Sequence, residues 1–136
     1  MTGSPVRLVE AKDIELLVQG DVSVIDVARE APHDAVVSAW QRSSRPALMA
    51  SSVIRVLTDL ITGRARPEAV QAWASFIMRG YLEPVGPPIM PVDVEYEAKH
   101  EDAIVEAIAV LEQMGDSIDG DPSEEDLRQL IGDLTA

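Results

Sequence analysis

The chain has 136 residues, no cysteine, 24 acidic and 11 basic side chains, and a net charge of −13 at pH 7. This length suits one domain with one hydrophobic core, and the missing cysteines exclude disulfides, thiolate metal sites and a cysteine nucleophile. The acidic charge disfavours nucleic acid as a partner, because phosphates are bound by lysine and arginine. Only 4% of the residues are aromatic against 46% hydrophobic, so we expect aliphatic side chains to fill an all-α, single-domain bundle of about five helices.

The chain contains no apolar run with the length and flanks of a signal peptide or a membrane span. We therefore expect one soluble, unexported domain over 1–136 that has no membrane partner and works in the cytoplasm.

Apolar residues three positions apart predict a first helix over 5–19, ending at Gly20. The beginning of this segment, "PVRLV", fits an extended chain equally well. The residues that form the apolar stripe are Leu8, Ala11, Ile14 and Leu17.

The valine-rich segment 21–31 fits either a strand or a helix capped by Asp21 or Ser23. Residues 5–30 are therefore left open to short extended pieces. Pro32 should end the segment, because the residue before a proline is driven out of the α region.

A short helix is predicted next over 34–42, with Asp34 as its cap. A pair of helices should then follow, joined by about three residues in an αα-hairpin. Pro46 lies near the start of its first helix and Gly63 at its end, while Pro67 opens the second. Their apolar stripes are Ile54, Leu57, Leu60 and Ile61 in the first helix and Val70, Trp73, Ala74 and Ile77 in the second.

The C-terminal half begins with a proline-rich stretch, 82–94, which should cross the surface as an extended loop because neither a helix nor a central strand tolerates so many prolines. An amphipathic helix then ends at Gly115, and Ser123 and Asp126 have the spacing of a capping box for a last helix. The predicted buried sides are Ile104, Ala107, Ile108, Leu111 and Met114, and then Leu127, Leu130, Ile131 and Leu134.

Charge is unevenly distributed along the chain. Residues 1–40 carry a net charge of −4, residues 41–79 carry +4, and residues 80–136 carry −13. A cationic partner should therefore be attracted to the C-terminal half.

The sequence contains little that indicates catalysis. It has no glycine-rich phosphate loop and no nucleophile elbow. Glu30 with His33, and Glu97 with His100, have the Glu-x-x-His spacing of di-metal carboxylate bundles. However, Pro32 interrupts the first pair, so a di-metal enzyme is only a remote alternative. We predict a protein that is not an enzyme and has no cofactor and no metal.

The order of segments in residues 48–136 resembles that of small, acidic, bacterial immunity proteins of the colicin-like type. The resemblance is one of layout and runs through "LITGRARPEAVQAWASFI", the proline-rich spacer, "DAIVEAIAVLEQMGDSIDG" and "SEEDLRQLIGDL". Members of that family bind and block a co-produced toxin, which is often a basic nuclease. The resemblance therefore implies a toxin inhibitor whose partner is a basic protein.

On this hypothesis, carboxylates of the acidic half pair with lysine or arginine of the toxin, and a tyrosine anchors the centre of the contact. The alternative is a helical adaptor that self-associates, for example as a homodimer, by placing the Trp73 hairpin and the basic segment 41–79 against an acidic surface of a second copy. The predicted partner-binding residues are Tyr96, Glu97, Glu101, Asp116, Asp119 and Asp121.

Overall fold

The computed structural model describes residues 9–82, 91–114 and 121–136, which form seven α-helices and no β-strand. The all-α prediction is confirmed, with seven helices where about five were expected. Short 3₁₀ turns at Val22–Val24 and Ala98–His100 precede two of them. The helices are α1 (Ala11–Val18), α2 (Ile25–Glu30), α3 (His33–Arg42), α4 (Ala50–Ile61), α5 (Pro67–Arg79), α6 (Glu101–Glu112) and α7 (Glu124–Thr135).

Helix α1 begins later than predicted, because a capping box stops it at its N-terminus. Glu10 has an extended backbone, and its N–H donates to the Asp13 carboxylate at 2.9 Å. At the other end Gly20 has a φ of +95°, and a Cβ placed there would lie only 2.6 Å from the Ser52 carbonyl oxygen. The end of α1 therefore touches α4 through a position that only glycine fits.

The segment that sequence left open between strand and helix is helical. The Asp21 side chain accepts a hydrogen bond from the Ser23 N–H at 3.2 Å and caps the 3₁₀ turn that leads into α2. Ala31, just before Pro32, is extended and ends α2 as predicted.

Two predicted helix starts are wrong. Helix α3 begins at His33, with Pro32 at the cap position, so Asp34 lies exposed in the first turn and is not the cap. Helix α4 begins at Ala50, four residues beyond Pro46. The chain before it is held by Leu48, whose N–H donates to the Glu95 carbonyl at 2.7 Å and whose carbonyl accepts from the Glu97 N–H at 2.9 Å.

The buried face of α4 also differs from the predicted stripe. Val53, Val56 and Leu57 are fully buried, whereas Ile54, Leu60 and Ile61 are half-buried. Besides Ala50, this helix contains six large apolar residues, and two overlapping stripes are compatible with a period of 3.6.

The stripes of the later helices are confirmed almost throughout. Val70, Trp73, Ala74 and Ile77 of α5 are buried, as are the five predicted residues at and just after α6. In α7, Leu127, Leu130 and Leu134 are buried and Ile131 is half-buried. The predicted capping box of Ser123 and Asp126 is present.

The three most extensive helix contacts are those of α5 with α6, of α4 with α7 and of α1 with α3. Two of these three pairs join helices that are not consecutive in the chain. Helices α4 and α5 are joined by residues 62–66, five residues where about three were predicted, and they touch only slightly. Trp73 is 0% exposed, and its indole N–H donates to the Leu17 carbonyl at 2.7 Å. Its side chain binds α5 to α1 and is not part of the surface, which corrects the proposal of an interface built on Trp73.

Among the residues that the structure describes, no helix has both the length and the apolar character needed to cross a bilayer.

Candidate partner-binding surface

The outer side of α6 carries three exposed carboxylates, those of Glu101, Asp102 and Glu106, which we call the acidic face. None of the three forms an ion pair or a side-chain hydrogen bond with a described residue. The opposite side of α6 is buried against α5, so the charges are directed towards solvent. Glu101 and Asp102 also lie in the first turn of α6, where negative charge interacts favourably with the helix dipole.

A shallow polar cleft separates the start of α6 from the end of α7. Its volume is about 390 Å³, and Lys99, Glu101, Asp102 and Asp133 contribute to its lining. Among the described residues that line the cleft, Lys99 is the only lysine or arginine. The acidic face therefore continues onto the neighbouring helix.

Other carboxylates of the C-terminal half are used within the fold. Glu112 pairs with Arg79 of α5 at 2.6 Å, and Glu124 pairs with Arg128 one turn further along α7 at 3.0 Å. Asp126 accepts from the Ser123 N–H at 3.0 Å in the capping box. These acids stabilise helices and their packing, and much of their charge is already compensated.

Glu97 occupies a different place from the one expected of a surface contact. Its Oε1 accepts from the Ala50 N–H at 3.1 Å and lies 3.0 Å from His100 Nδ1. Helix α4 has no side-chain cap from its own N-cap residue, so Glu97 caps it from 47 residues away. The Ala50 N–H, followed by His100, holds the pKa of the Glu97 carboxyl below its ordinary value. A role for Glu97 in partner binding stays a prediction.

Tyr96 lies beside this cap and is half-buried. It forms an isolated parallel bridge with Leu48, and burial raises the pKa of its hydroxyl. The side chain packs against the core, so only part of it is available as an anchor.

The structure does not gather all the predicted site residues. Tyr96 and Glu97 lie just before the acidic face and Glu101 lies within it. Asp121 is exposed before the first residue of α7, and the twelve residues of that helix place about 18 Å of helix between it and the cleft. Asp116 and Asp119 lie outside the described residues.

Sequence reasoning missed a cluster of ion pairs between α2 and the start of α5. Arg66 lies 3.5 Å from Asp26 and 3.6 Å from Glu68, and Arg29 contacts both carboxylates. The Arg29 guanidinium beside Glu68 holds the pKa of that carboxyl below its ordinary value. Partners about 40 positions apart leave no local signal in sequence, so this neutralisation of part of the basic segment was not predictable.

The two Glu-x-x-His pairs do not converge. Glu30 and His33 flank the break between α2 and α3, while Glu97 and His100 bind each other. Within 9–82, 91–114 and 121–136, no three histidine, aspartate or glutamate side chains are grouped so that they could hold a metal ion.

Comparison of the chain with protein-family models, with curated proteins and with solved structures found no match. The chemistry of the surface is therefore the basis for assigning a function.

The cap of α4 can be tested by the substitution Glu97→Gln. Because the folded-state pKa of Glu97 is lowered, its charge stabilises the fold at neutral pH, and this contribution is lost as the pH falls below the ordinary glutamate value of about 4.3 towards the folded-state pKa. We expect Glu97→Gln to lower the midpoint of urea unfolding at pH 7. The substitution should have little effect at a pH low enough to protonate Glu97 in the folded protein.

The comparison needs urea unfolding curves of both proteins across the acid range. Glu101→Gln is the matched control, since Glu101 also begins a helix but accepts no side-chain hydrogen bond from a described residue. An equal loss in both variants, or a difference independent of pH, would contradict the assigned cap.

Proposed function

We propose that this protein is a non-enzymatic binding protein whose acidic face docks onto a basic protein, and that it acts as an immunity-type inhibitor of a basic toxin. The observation that carries the proposal is the set of three exposed carboxylates on α6 that have no cationic partner among the described residues. The layout of residues 48–136 and the net charge of −13 support the same assignment.

Electrostatics supplies the mechanism. The field of the acidic half steers a basic partner towards α6, which raises the association rate by about ten- to a thousandfold at low ionic strength. In the complex, Glu101, Asp102 and Glu106 accept charge-assisted hydrogen bonds from lysine or arginine of the partner. If those cations hold the nucleic-acid substrate of a toxin, their occupation blocks activity.

The fold makes such docking inexpensive in conformational entropy. The acidic face lies on a helix whose opposite side is buried in the core. The backbone that carries the carboxylates is therefore ordered before binding. The buried residues of that opposite side are Ile104, Ala107, Ile108 and Leu111. Preorganised charge costs less free energy to bring into a complex than charge on a mobile loop.

Charge reversal tests the proposal. Asp102→Lys with Glu106→Lys should abolish the capture of a basic protein from the native lysate at low salt, whereas the wild-type protein should hold it until a salt gradient releases it. With the captured protein purified, we expect the double reversal to lower the association rate constant by about ten- to a hundredfold, measured by stopped-flow fluorescence.

A second double charge reversal, made away from α6, changes the net charge by the same amount and serves as the control. Glu30→Lys with Asp34→Lys alters two exposed acids on α2 and α3, away from α6, and should leave capture almost unchanged. If both double variants lost the partner equally, the net charge and not the acidic face would be responsible. If the captured protein kept its full activity when saturated with this chain, the inhibitor role would be wrong.

A further inference from the structure

Among the residues that the structure describes, four arginines form no ion pair, in a chain that has more than twice as many acids as bases. All four are exposed, and none forms an ion pair with a described residue. We call them the arginine face: Arg42, Arg45, Arg55 and Arg64.

The segments that carry these residues follow the line of residues 15–21, which ends α1 and continues just beyond it. The Ser44 N–H, next to Arg45, donates to the Glu15 carboxylate of α1 at 3.0 Å. The stem of Arg55 passes Gly20, where an added Cβ would lie 3.5 Å from the Arg55 Cδ. Glu15 lies in α1 and Gly20 two residues beyond its end, so Arg45 and Arg55 both belong to the surface around the C-terminal end of this helix.

The two ends of the line are also defined. Arg42 ends α3, where its Nε donates to the Ser38 carbonyl at 3.3 Å. Arg64 lines a cleft together with Asp21, the residue after Gly20. Glu15 and Asp21 border the line, and both accept backbone hydrogen bonds.

The arginine face and the acidic face belong to different parts of the bundle. The arginines lie at the end of α3, on α4 and in the segments that follow these two helices, beside the end of α1, whereas the acidic face lies on α6, which packs on α5 and α7. One copy therefore carries a cationic surface and a separate anionic surface of complementary chemistry. Guanidinium groups pair with carboxylates in two-pronged hydrogen bonds, which makes arginine the cation best suited to such a contact.

We propose that the arginine face binds the acidic face of a second copy, so that the protein self-associates head to tail. Such a contact joins two different surfaces and continues into a ring or a short chain instead of closing as a two-fold dimer. Self-association occupies the acidic face, so a basic partner competes with it and dissolves the assembly.

Salt should affect this contact in a characteristic way. Two copies of net charge −13 repel each other over about 30 Å at 0.01 M ionic strength, but over only about 8 Å at 0.15 M. The direct pairs are screened fully only near 1 M, where the Debye length is about 3 Å. Association should therefore be strongest at intermediate salt, whereas an apolar contact would strengthen steadily with a salting-out salt.

Sedimentation velocity of the full chain at several concentrations and salt levels provides the test. We expect the mean mass to rise above 14.7 kDa with concentration at intermediate salt. Arg45→Glu with Arg55→Glu should weaken association at least about tenfold, as should Asp102→Lys with Glu106→Lys. Arg55→Gln keeps most of the stem that packs at Gly20 and should give a smaller loss of the same sign.

Mixing the two double variants separates a head-to-tail contact from any other. Each variant is expected to be monomeric alone, whereas an equimolar mixture should associate, because the acidic face left intact in one variant meets the arginine face left intact in the other and the reversed charges of the two variants are complementary as well. Lys12→Glu, at an exposed position of α1 without an ion pair, should associate like the wild type.

A protein that stays monomeric at every salt level up to its solubility limit would overturn the proposal, as would an oligomer that the charge reversals leave intact. Failure here is distinct from failure of the inhibitor role, because the arginine variants keep the acidic face and should still capture a basic partner.

Discussion

Gly80→Ala should be among the most damaging single-methyl changes in this chain, with an expected loss of roughly 2–5 kcal/mol in the free energy of unfolding. Gly80 ends α5 with a φ of +83°. A Cβ there would lie 2.5 Å from the Val92 carbonyl oxygen and 2.7 Å from the Pro91 Cβ. The contact cannot relax easily, because the Val92 N–H is also hydrogen-bonded to the Gly80 carbonyl at 2.9 Å.

Gly63→Ala separates the cost of a left-handed backbone from the cost of the steric contact between an added Cβ and residues 91 and 92. Gly63 has nearly the same backbone conformation, with a φ of +77°, but no atom within 4 Å of an added Cβ. Gly63→Ala should therefore lower the free energy of unfolding only by the cost of a left-handed alanine, roughly 1–2 kcal/mol. Urea unfolding of both variants gives the comparison, and equal losses would show that the close approach of residues 91 and 92 to Gly80 is not important for stability.

Trp73→Ala is expected to have the largest effect of any core substitution, roughly 3–5 kcal/mol. The side chain is completely buried among the helices, and its indole N–H donates to the Leu17 carbonyl at 2.7 Å. The substitution removes both the apolar contacts of α5 and its hydrogen bond to α1. Since small domains are stable by only about 5–15 kcal/mol, the variant should be partly unfolded at 37 °C.

Trp73→Phe distinguishes packing from hydrogen bonding. It keeps much of the ring volume but loses the donor, and the Leu17 carbonyl still accepts from the Gly20 N–H at 3.1 Å. We therefore expect a smaller loss, about 1–3 kcal/mol. Thermal unfolding followed by circular dichroism would measure both. A Trp73→Ala protein with wild-type stability would mean that Trp73 is not a core residue.

Local sequence was sufficient where one helix contains its own signals. Pro67 marked the start of α5, and the spacing of Ile104, Ile108 and Leu111 identified the buried side of α6. The capping box of Ser123 was readable for the same reason, since both partners lie within four residues.

Local sequence failed where a distant segment determines the outcome. Helix α4 begins at Ala50 because Leu48 is paired with residues 95 and 97 and because Glu97 caps the helix, and neither contact can be inferred from neighbouring residues. The same holds for the burial of Val53 in place of Ile54, which depends on the helices that pack against α4, namely α5, α6 and α7. In the candidate site, the charge and the exposure of the acidic residues on α6 were predictable from the sequence. The role of Glu97 as the cap of α4 was not.

The distant cap of α4 also has a consequence during protein synthesis. Glu97, which caps the first turn of α4, follows Ala50 by 47 positions, so it has not yet left the ribosome when α4 does, and the end of α4 stays frayed while α5 emerges. The nascent chain can complete this end only once residues 95–100 are free of the exit tunnel. A late contact of this kind couples the two halves of the molecule, so that neither becomes a finished folding unit before the other.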